Sequence, residues 1–471
     1  MSAVNRYARR LANASVALVA LGAALVALGA EHAAATPELG LGPPQLITPA
    51  DRFSYGPYAA QGASGSTTVA WLQLSEDRSS TTRMARRIDP GGQLGPPIVL
   101  DDFVPSAFEI ASDSRGRSLL AGFGSDPETD EEGLGVSWIS ADGVAEPTRI
   151  LLDPSEGTPD NLSPVVRDLR VLIDSDDVAT LVWAESRFRK PRDLRRVSTV
   201  RAIRLQPSGE ASDVITLASH GGQARELSAA LDSEDRVRVL WRRLRNGKDG
   251  LPLRRQGQVR LATLTPDGQI SEQVLFKDRG SRTIPFEALS GSHVAVVRNN
   301  RRGNKQVLLA APLRADGSIE RARVVDRSRS SMRPRLVDSG GQALVAWHGR
   351  SRIKAAVIDA RSGRPGKARA ISGRFDGPGG GVRGATPAID SGGRGVIAWR
   401  LGTVGVEAVR LDREGRPGPV QRLQDGSSLV RGVRVFIDAD GQATIVWQGS
   451  TGVLPDPTQP QAPGIWLAQG R

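Results

Sequence analysis

The chain has no cysteine, four histidines and three tyrosines, and aromatic residues make up only 4% of its 471 positions. Without cysteine there is no disulfide, thiolate metal site or lipid-modified cysteine, and a core of the size this length allows needs no covalent staple. The histidines, His32, His220, His293 and His348, share no metal-ligand spacing. Lysine is also scarce, with six lysines against 57 arginines. No G-x-S-x-G elbow occurs and no Ser-His-Asp order stands out, so two common hydrolase signatures are missing. After residue 35 no segment is apolar enough to span a membrane, and none carries helical periodicity.

What is present is basic. The net charge of +12 and pI near 10.8 favour anionic partners without identifying one. The N-terminus reads as an export signal: Arg6, Arg9 and Arg10 precede an uncharged apolar run from Leu11 to Ala30, and an A-x-A signature over residues 33–35 stands before Thr36. Residues 1–35 are therefore expected to be removed, with an uncleaved anchor as the alternative, because about 20 apolar residues can cross a bilayer. Removal takes away Arg6, Arg9, Arg10 and Glu31, which lowers the charge from +12 to +10. Residues 36–471 form the second, single domain.

That domain repeats one phrase. Asp and Trp stand nine residues apart five times, at Asp174/Trp183, Asp232/Trp241, Asp338/Trp347, Asp390/Trp399 and Asp438/Trp447. Weaker copies end at Trp71, at Gly122-Phe123 and at Val297, and copies recur roughly every 50 residues, a period that marks repeat architecture. Each copy resolves into four short strands. The first ends at the Asp, whose side chain suits the following Gly-containing turn. The second runs into the Trp and is apolar on both faces, as in a strand covered on both sides. The third ends in an x-Gly hairpin turn, at Gly143, Gly209, Gly268, Gly317, Gly363 and Gly415. The fourth is short, for example 419–423.

Four antiparallel strands per repeat without helices predict an all-β fold, a closed β-propeller of eight four-stranded blades, with seven as the alternative. Closure has its own signal. The last repeat stops at its third strand, and residues 41–44 repeat the Leu-Gly-Pro-Pro of residues 94–97, which sit at the fourth-strand position of blade one. Residues 41–47 are thus expected to supply the outer strand of blade eight and remove an exposed edge.

Residues 41–471 resemble secreted bacterial proteins built from the P-A-x-A-x-D-x-x-G-x-x-x-V-x-W repeat. Pro387 to Trp399 is nearly a full match, while Gly62, Ser290 and Val297 depart from the pattern. The resemblance implies a propeller-like organisation and export. It implies no catalytic residues.

Little chemistry survives inspection. The repeated Asp residues read as turn formers, the Trp residues as blade packing. The mature chain keeps only Tyr55 and Tyr58, a thin basis for the tyrosine nucleophile of a sialidase-like hydrolase. The acidic run from Asp126 to Glu132 lacks the oxygen spacing of a calcium loop. The remaining constellation is basic. The second-to-third-strand connections of blades three, four and five carry Arg187, Arg189, Lys190, Arg192, Arg195 and Arg196; then Arg242, Arg243, Arg245, Lys248, Arg254 and Arg255; then Arg298, Arg301, Arg302 and Lys305. Repeating strand polarity sends these connections to one face. The expectation is an exported, non-enzymatic, monomeric scaffold without cofactor or metal. Its partner is an anionic polymer or an acidic protein, with no sequence-specific reading of nucleic acid. An extracellular glycan hydrolase or lyase is the alternative.

Overall fold

A computed structural model of the chain describes residues 39–101, 103–125, 132–152, 165–188, 196–246, 252–277, 287–299, 305–328, 332–339, 341–349, 351–374, 382–402, 405–424, 430–450 and 463–470. Among these residues there is no helix long and apolar enough to cross a membrane. The strands form eight antiparallel four-stranded sheets, seven of them in simple chain order. The eighth takes its outer strand from the other end of the chain: Gln45 and Leu46 pair with Leu467 and Trp466. Leu41 bridges Gly470, and the Ile47 amide donates to the Ile465 carbonyl at 2.7 Å. The closing strand expected from the repeated Leu-Gly-Pro-Pro is therefore present, and the ring has eight blades.

The first strands line the axis. They span Ser54–Gln61, Val104–Ser112, Val165–Ile173, Gln223–Leu231, Glu287–Leu289, Pro334–Ser339, Val382–Ile389 and Arg431–Ile437, and each touches its two neighbours all the way round. Outside them the hydrophobic core is divided into eight clusters, one at each blade-to-blade interface, including the interface between blades eight and one. The second strands sit between sheets, so both of their faces are covered. In Ala443–Ser450 every residue is buried.

Trp71, Trp183, Trp241, Trp347, Trp399 and Trp447 are at most 1% exposed, and each packs into the interface with the preceding blade. Truncating a core aromatic of this size costs about 3–5 kcal/mol, so the repeated Trp is a packing residue. Blades two and five lack it, and their interfaces are filled instead by Phe108, Ile110, Leu120 and Ile139, and by Leu240, Leu289, Val294 and Val296. The irregular repeats thus keep the interface with different side chains.

The repeated Asp also behaves as its chemistry predicts, with one exception. Asp174 Oδ1 accepts from the Asp176 and Val178 amides, and Asp232, Asp390 and Asp438 accept from the amide four residues on. Asp338 differs. It lies within the first strand of blade six, and its carboxylate accepts from the Ser292 amide of blade five at 2.7 Å. It clasps two blades where a turn former was expected, because its strand runs on to Ser339 before turning.

Candidate functional site

One rung crosses all eight first strands. Tyr58, Glu109, Arg170, Ser228, Glu287, Arg335, Thr386 and Arg434 lie opposite Ala70, Ala121, Val182, Leu240, Val296, Ala346, Ala398 and Val446. Each partner immediately precedes the Trp position of its blade, so the eight are equivalent by register. All are polar, in strands that otherwise supply apolar residues to the interfaces.

Five of these side chains, those of Tyr58, Glu109, Arg170, Arg335 and Arg434, act on one another across the axis. Arg170 Nη1 donates to Glu109 Oε1 at 2.8 Å. Burial pushes the Tyr58 phenol pKa up, Glu109 adds to the rise, and Arg434 opposes it. Arg335, from blade six, is open to solvent, yet desolvation by the surrounding protein lowers its guanidinium pKa; Arg434 and Arg170 lower it further, and Glu109 opposes. Its electrostatic partners come from blades eight, three and two. Solvent contact together with desolvation fits a group projecting into an enclosed, water-filled channel. Among the described residues neither Arg335 nor Arg434 makes a side-chain hydrogen bond or ion pair.

Toward the mouth, where first strands begin, six of these strands shift register. Gly384 and Gly432 take left-handed conformations there, with φ of 68° and 59°. A Cβ on Gly432 would stand 2.5 Å from the Gly56 carbonyl, so that position needs glycine. Blades three and four instead place Asp168 and Glu226 in the same conformation, at φ 55° and 58°. Burial raises the Glu226 pKa and Arg242, Arg333 and Arg225 oppose that rise, while Asp168 adds to it. The mouth therefore holds two carboxylates among arginines.

The same end of the ring carries the second-to-third-strand connections. Of the basic residues singled out on them, Arg189, Lys190, Arg192, Arg195, Lys248, Arg301 and Arg302 lie outside the described residues. Several others are on strands and not loops. Arg187 is the next-to-last residue of the second strand of blade three and Arg196 opens the third; Arg242, Arg243 and Arg245 lie in Val237–Asn246, Arg254 and Arg255 in Pro252–Leu264, and Arg298 in His293–Asn299. The hairpins of blades three to five simply reach further out than the turn residues suggest. Arg242 is corrected most strongly: it is 1% exposed and packs over Gly257 inside blade four, so it is no surface ligand. Arg243 is half-buried and donates to the Gly221 carbonyl. Arg187, Arg245, Arg298 and Lys305 are exposed, Arg298 lying 5.7 Å from the Phe276 ring centre. The acidic run 126–131 also falls outside the described residues.

The opposite face is made of tight turns. A cleft of about 540 Å³ opens there between blades one and two, lined in part by Arg87, Asp89, Arg115 and Asp142. Its arginines are committed: Arg87 donates to the Gly116 carbonyl at 2.6 Å, and Arg115 pairs with Asp177.

The channel rung was not foreseen, although the sequence carries a signal for it. The residue four before the repeated Asp, or its equivalent, is Tyr58, Glu109, Arg170, Ser228, Thr386 and Arg434 in six of the eight repeats. Blades five and six are one residue shorter at this point, which hides Glu287 and Arg335 from the column.

Fold and channel together define an eight-bladed β-propeller with a charged axial channel. No family model matches the chain, and no curated protein matches it in sequence. Solved structures do resemble it in shape. A Dos1 propeller aligns with TM-score 0.49 and 10% identity, over 91% of this chain and 95% of its own. A puromycin hydrolase aligns with TM-score 0.46 and 15% identity over 85% of this chain, which spans only 59% of the hydrolase. The BP39L lectin from Burkholderia pseudomallei aligns with TM-score 0.45 and 11% identity, over 79% of this chain and all of the lectin. Such likenesses add nothing to the fold beyond what the blade pairing shows.

Proposed function

We propose that this protein is an exported, non-enzymatic binding propeller whose long-connection face takes an anionic polymer or an acidic protein. The reading includes kinship with the secreted repeat proteins and cleavage before Thr36. One observation carries it: the basic second-to-third-strand connections of blades three, four and five leave the ring at the end where the channel opens, beside Arg225, Arg333 and Arg431. Among the described residues of these connections, Arg187, Arg245, Arg298 and Lys305 stand exposed at this end. Long connections on a rigid scaffold are where binding sites are usually placed.

Binding of this kind releases counterions, so affinity for a polyanion such as heparin should fall steeply with salt. Changing Arg195, Arg196, Arg254, Arg255, Arg301 and Arg302 to Ser should flatten that salt dependence and abolish binding at moderate ionic strength. Arg364→Ser and Arg416→Ser, beside turns on the opposite face, serve as the control. Equal loss in both sets would reduce the attraction to the diffuse pull of a basic protein. Mass spectrometry of secreted material tests export, with a mature N-terminus expected near Thr36.

A glycan hydrolase remains the second reading, favoured by the meeting of Tyr58, Glu109 and arginines in the channel. Against it, the raised Tyr58 pKa keeps the phenol protonated, the opposite of an activated nucleophile. Release of reducing ends from acidic glycans, lost in Tyr58→Phe, would reinstate it.

A further inference from the structure

We propose that the axial channel is a discrete site for one small hydroxylated carboxylate, a sugar acid in chemical class, with its carboxylate on Arg335 and Arg434 and its hydroxyls on Glu109 and Tyr58. The groups come from the first strands, so the site stands whether or not the connections bind a polymer.

Charge is the first support. The rung places three arginines against two glutamates by residue type. Arg170 is neutralised by Glu109 at 2.8 Å, which leaves Arg335 and Arg434, facing one another's field, against Glu287 alone. Two guanidinium groups held in an enclosed space repel, and an anion between them relieves the repulsion. Arginine's planar fork matches a carboxylate bidentately, and such charge-assisted bonds are the strong ones.

The neighbours then select among anions. Glu109 spends one bond on Arg170 and keeps acceptor capacity, which suits ligand hydroxyls. The Tyr58 phenol is protonated at neutral pH and can donate, and its ring is fixed by stacking on Phe108 with centroids 3.6 Å apart. Ser228, on the same rung, adds a hydroxyl, while the Thr386 hydroxyl already donates to the Val433 carbonyl at 3.2 Å. A dianionic phosphate would meet Glu109 as a repelling charge, whereas a monoanion bearing hydroxyls uses every group. The channel is reached from the mouth at Asp168 and Glu226, where a second pair of acceptors waits.

The test is calorimetric titration of the mature protein at low salt with D-glucuronate, acetate, inorganic phosphate and D-glucose. Glucuronate is expected to bind one to one, acetate at least about tenfold more weakly, and glucose not at all. Arg335→Gln and Arg434→Gln should each weaken glucuronate by about 10- to 100-fold, and Arg335→Lys by less, since charge stays but the fork is lost. Tyr58→Phe should cost about three- to tenfold, and Arg416→Ser should change nothing. Melting curves identify any variant that fails to fold, and two independent arginine variants guard against that outcome. The proposal is overturned if glucuronate shows no saturable binding, if phosphate binds more tightly than glucuronate, or if folded Arg335→Gln and Arg434→Gln bind as the parent does. Heparin binding by Arg335→Gln is read separately. Its loss or absence bears on the connection face, not on the channel.

Discussion

On one face of the ring, first strands pass into second strands through short Asp- or Gly-bearing turns; the other is the end at which first strands begin and second strands pass into third. Both faces contain left-handed residues other than glycine, and the two sets are used differently. On the turn face Asp177 and Asp235 stand at φ 62° and 56° where other blades have glycine. Each reaches the preceding blade: Asp177 accepts from the Ser114 amide and pairs with Arg115, and Asp235 accepts from the Ser175 amide. A left-handed side chain costs about 1–2 kcal/mol, and here a clasp between blades offsets it. On the mouth face Asp168 and Glu226 carry the same strain, and no hydrogen bond from either side chain is made among the described residues. Strain serves assembly on one face. On the other it holds carboxylates beside a channel, which is where strain kept for binding is expected.

This division locates stability in strand pairing and the turn face, and the binding proposed above at the mouth. The largest test removes closure. Deleting residues 39–47 strips the outer strand from blade eight together with Leu39, Leu41 and Ile47, all under 10% exposed. At about 2 kcal/mol or more for each buried aliphatic side chain, the loss should exceed about 6 kcal/mol and appear as a sharp fall in melting temperature. A deletion variant melting within a degree or two of the parent sinks the closed ring.

A smaller loss is expected from Asp232→Ala on the turn face. Asp232 Oδ1 accepts the Glu234 and Arg236 amides, and Oδ2 accepts from the side chains of Arg236 and of Arg238, itself 2% exposed. Removing the carboxylate strands a buried guanidinium, which typically costs about 3–5 kcal/mol. Burial would raise the Asp232 pKa, but bonds from Arg236, the Glu234 amide and Arg238 outweigh it and hold the pKa below the ordinary 3.8. A depressed folded value means that this stabilisation is complete above pH 3.8 and is lost as pH falls through the lower folded value. Parent and variant melting curves should therefore converge in acid. A gap between them that stays constant from pH 7 to pH 2 would remove Asp232 as a charged clasp.

The scaffold was legible because its parts repeat. An Asp that bonds its own turn, a glycine with positive φ and a Trp between sheets each need only local chemistry, so most copies read alike. Asp338 escaped because its role depends on Ser292 in another blade. Channel residues escaped for a related reason. Tyr58, Glu109, Arg170, Arg335 and Arg434 are scattered over 377 positions of sequence and become neighbours only when the ring closes. The basic connections were legible as composition, but composition does not separate a surface arginine from Arg242, which enters the core of blade four. Strand length decides that difference, and charged residues near strand ends do not reveal it.

The smallest expected effect tests the strain at the mouth. Glu226→Gly places at the blade-four bulge the residue that blades seven and eight already use at Gly384 and Gly432. Relief of the left-handed conformation favours the variant by about 1 kcal/mol or more, and the extra freedom of glycine in the unfolded chain takes back about 0.5–1 kcal/mol. Charge tips the remainder. Burial holds the folded Glu226 pKa above its ordinary value, so at neutral pH the ionised carboxylate weighs against folding, and that penalty fades as pH falls below the ordinary carboxylate range. The variant should accordingly melt slightly above the parent at pH 7 and level with it near pH 4, while losing affinity for a hydroxylated ligand that enters past the mouth. If Glu226→Gly instead melts well below the parent, the carboxylate is a structural clasp like Asp177 and Asp235, and the two faces are built by one rule.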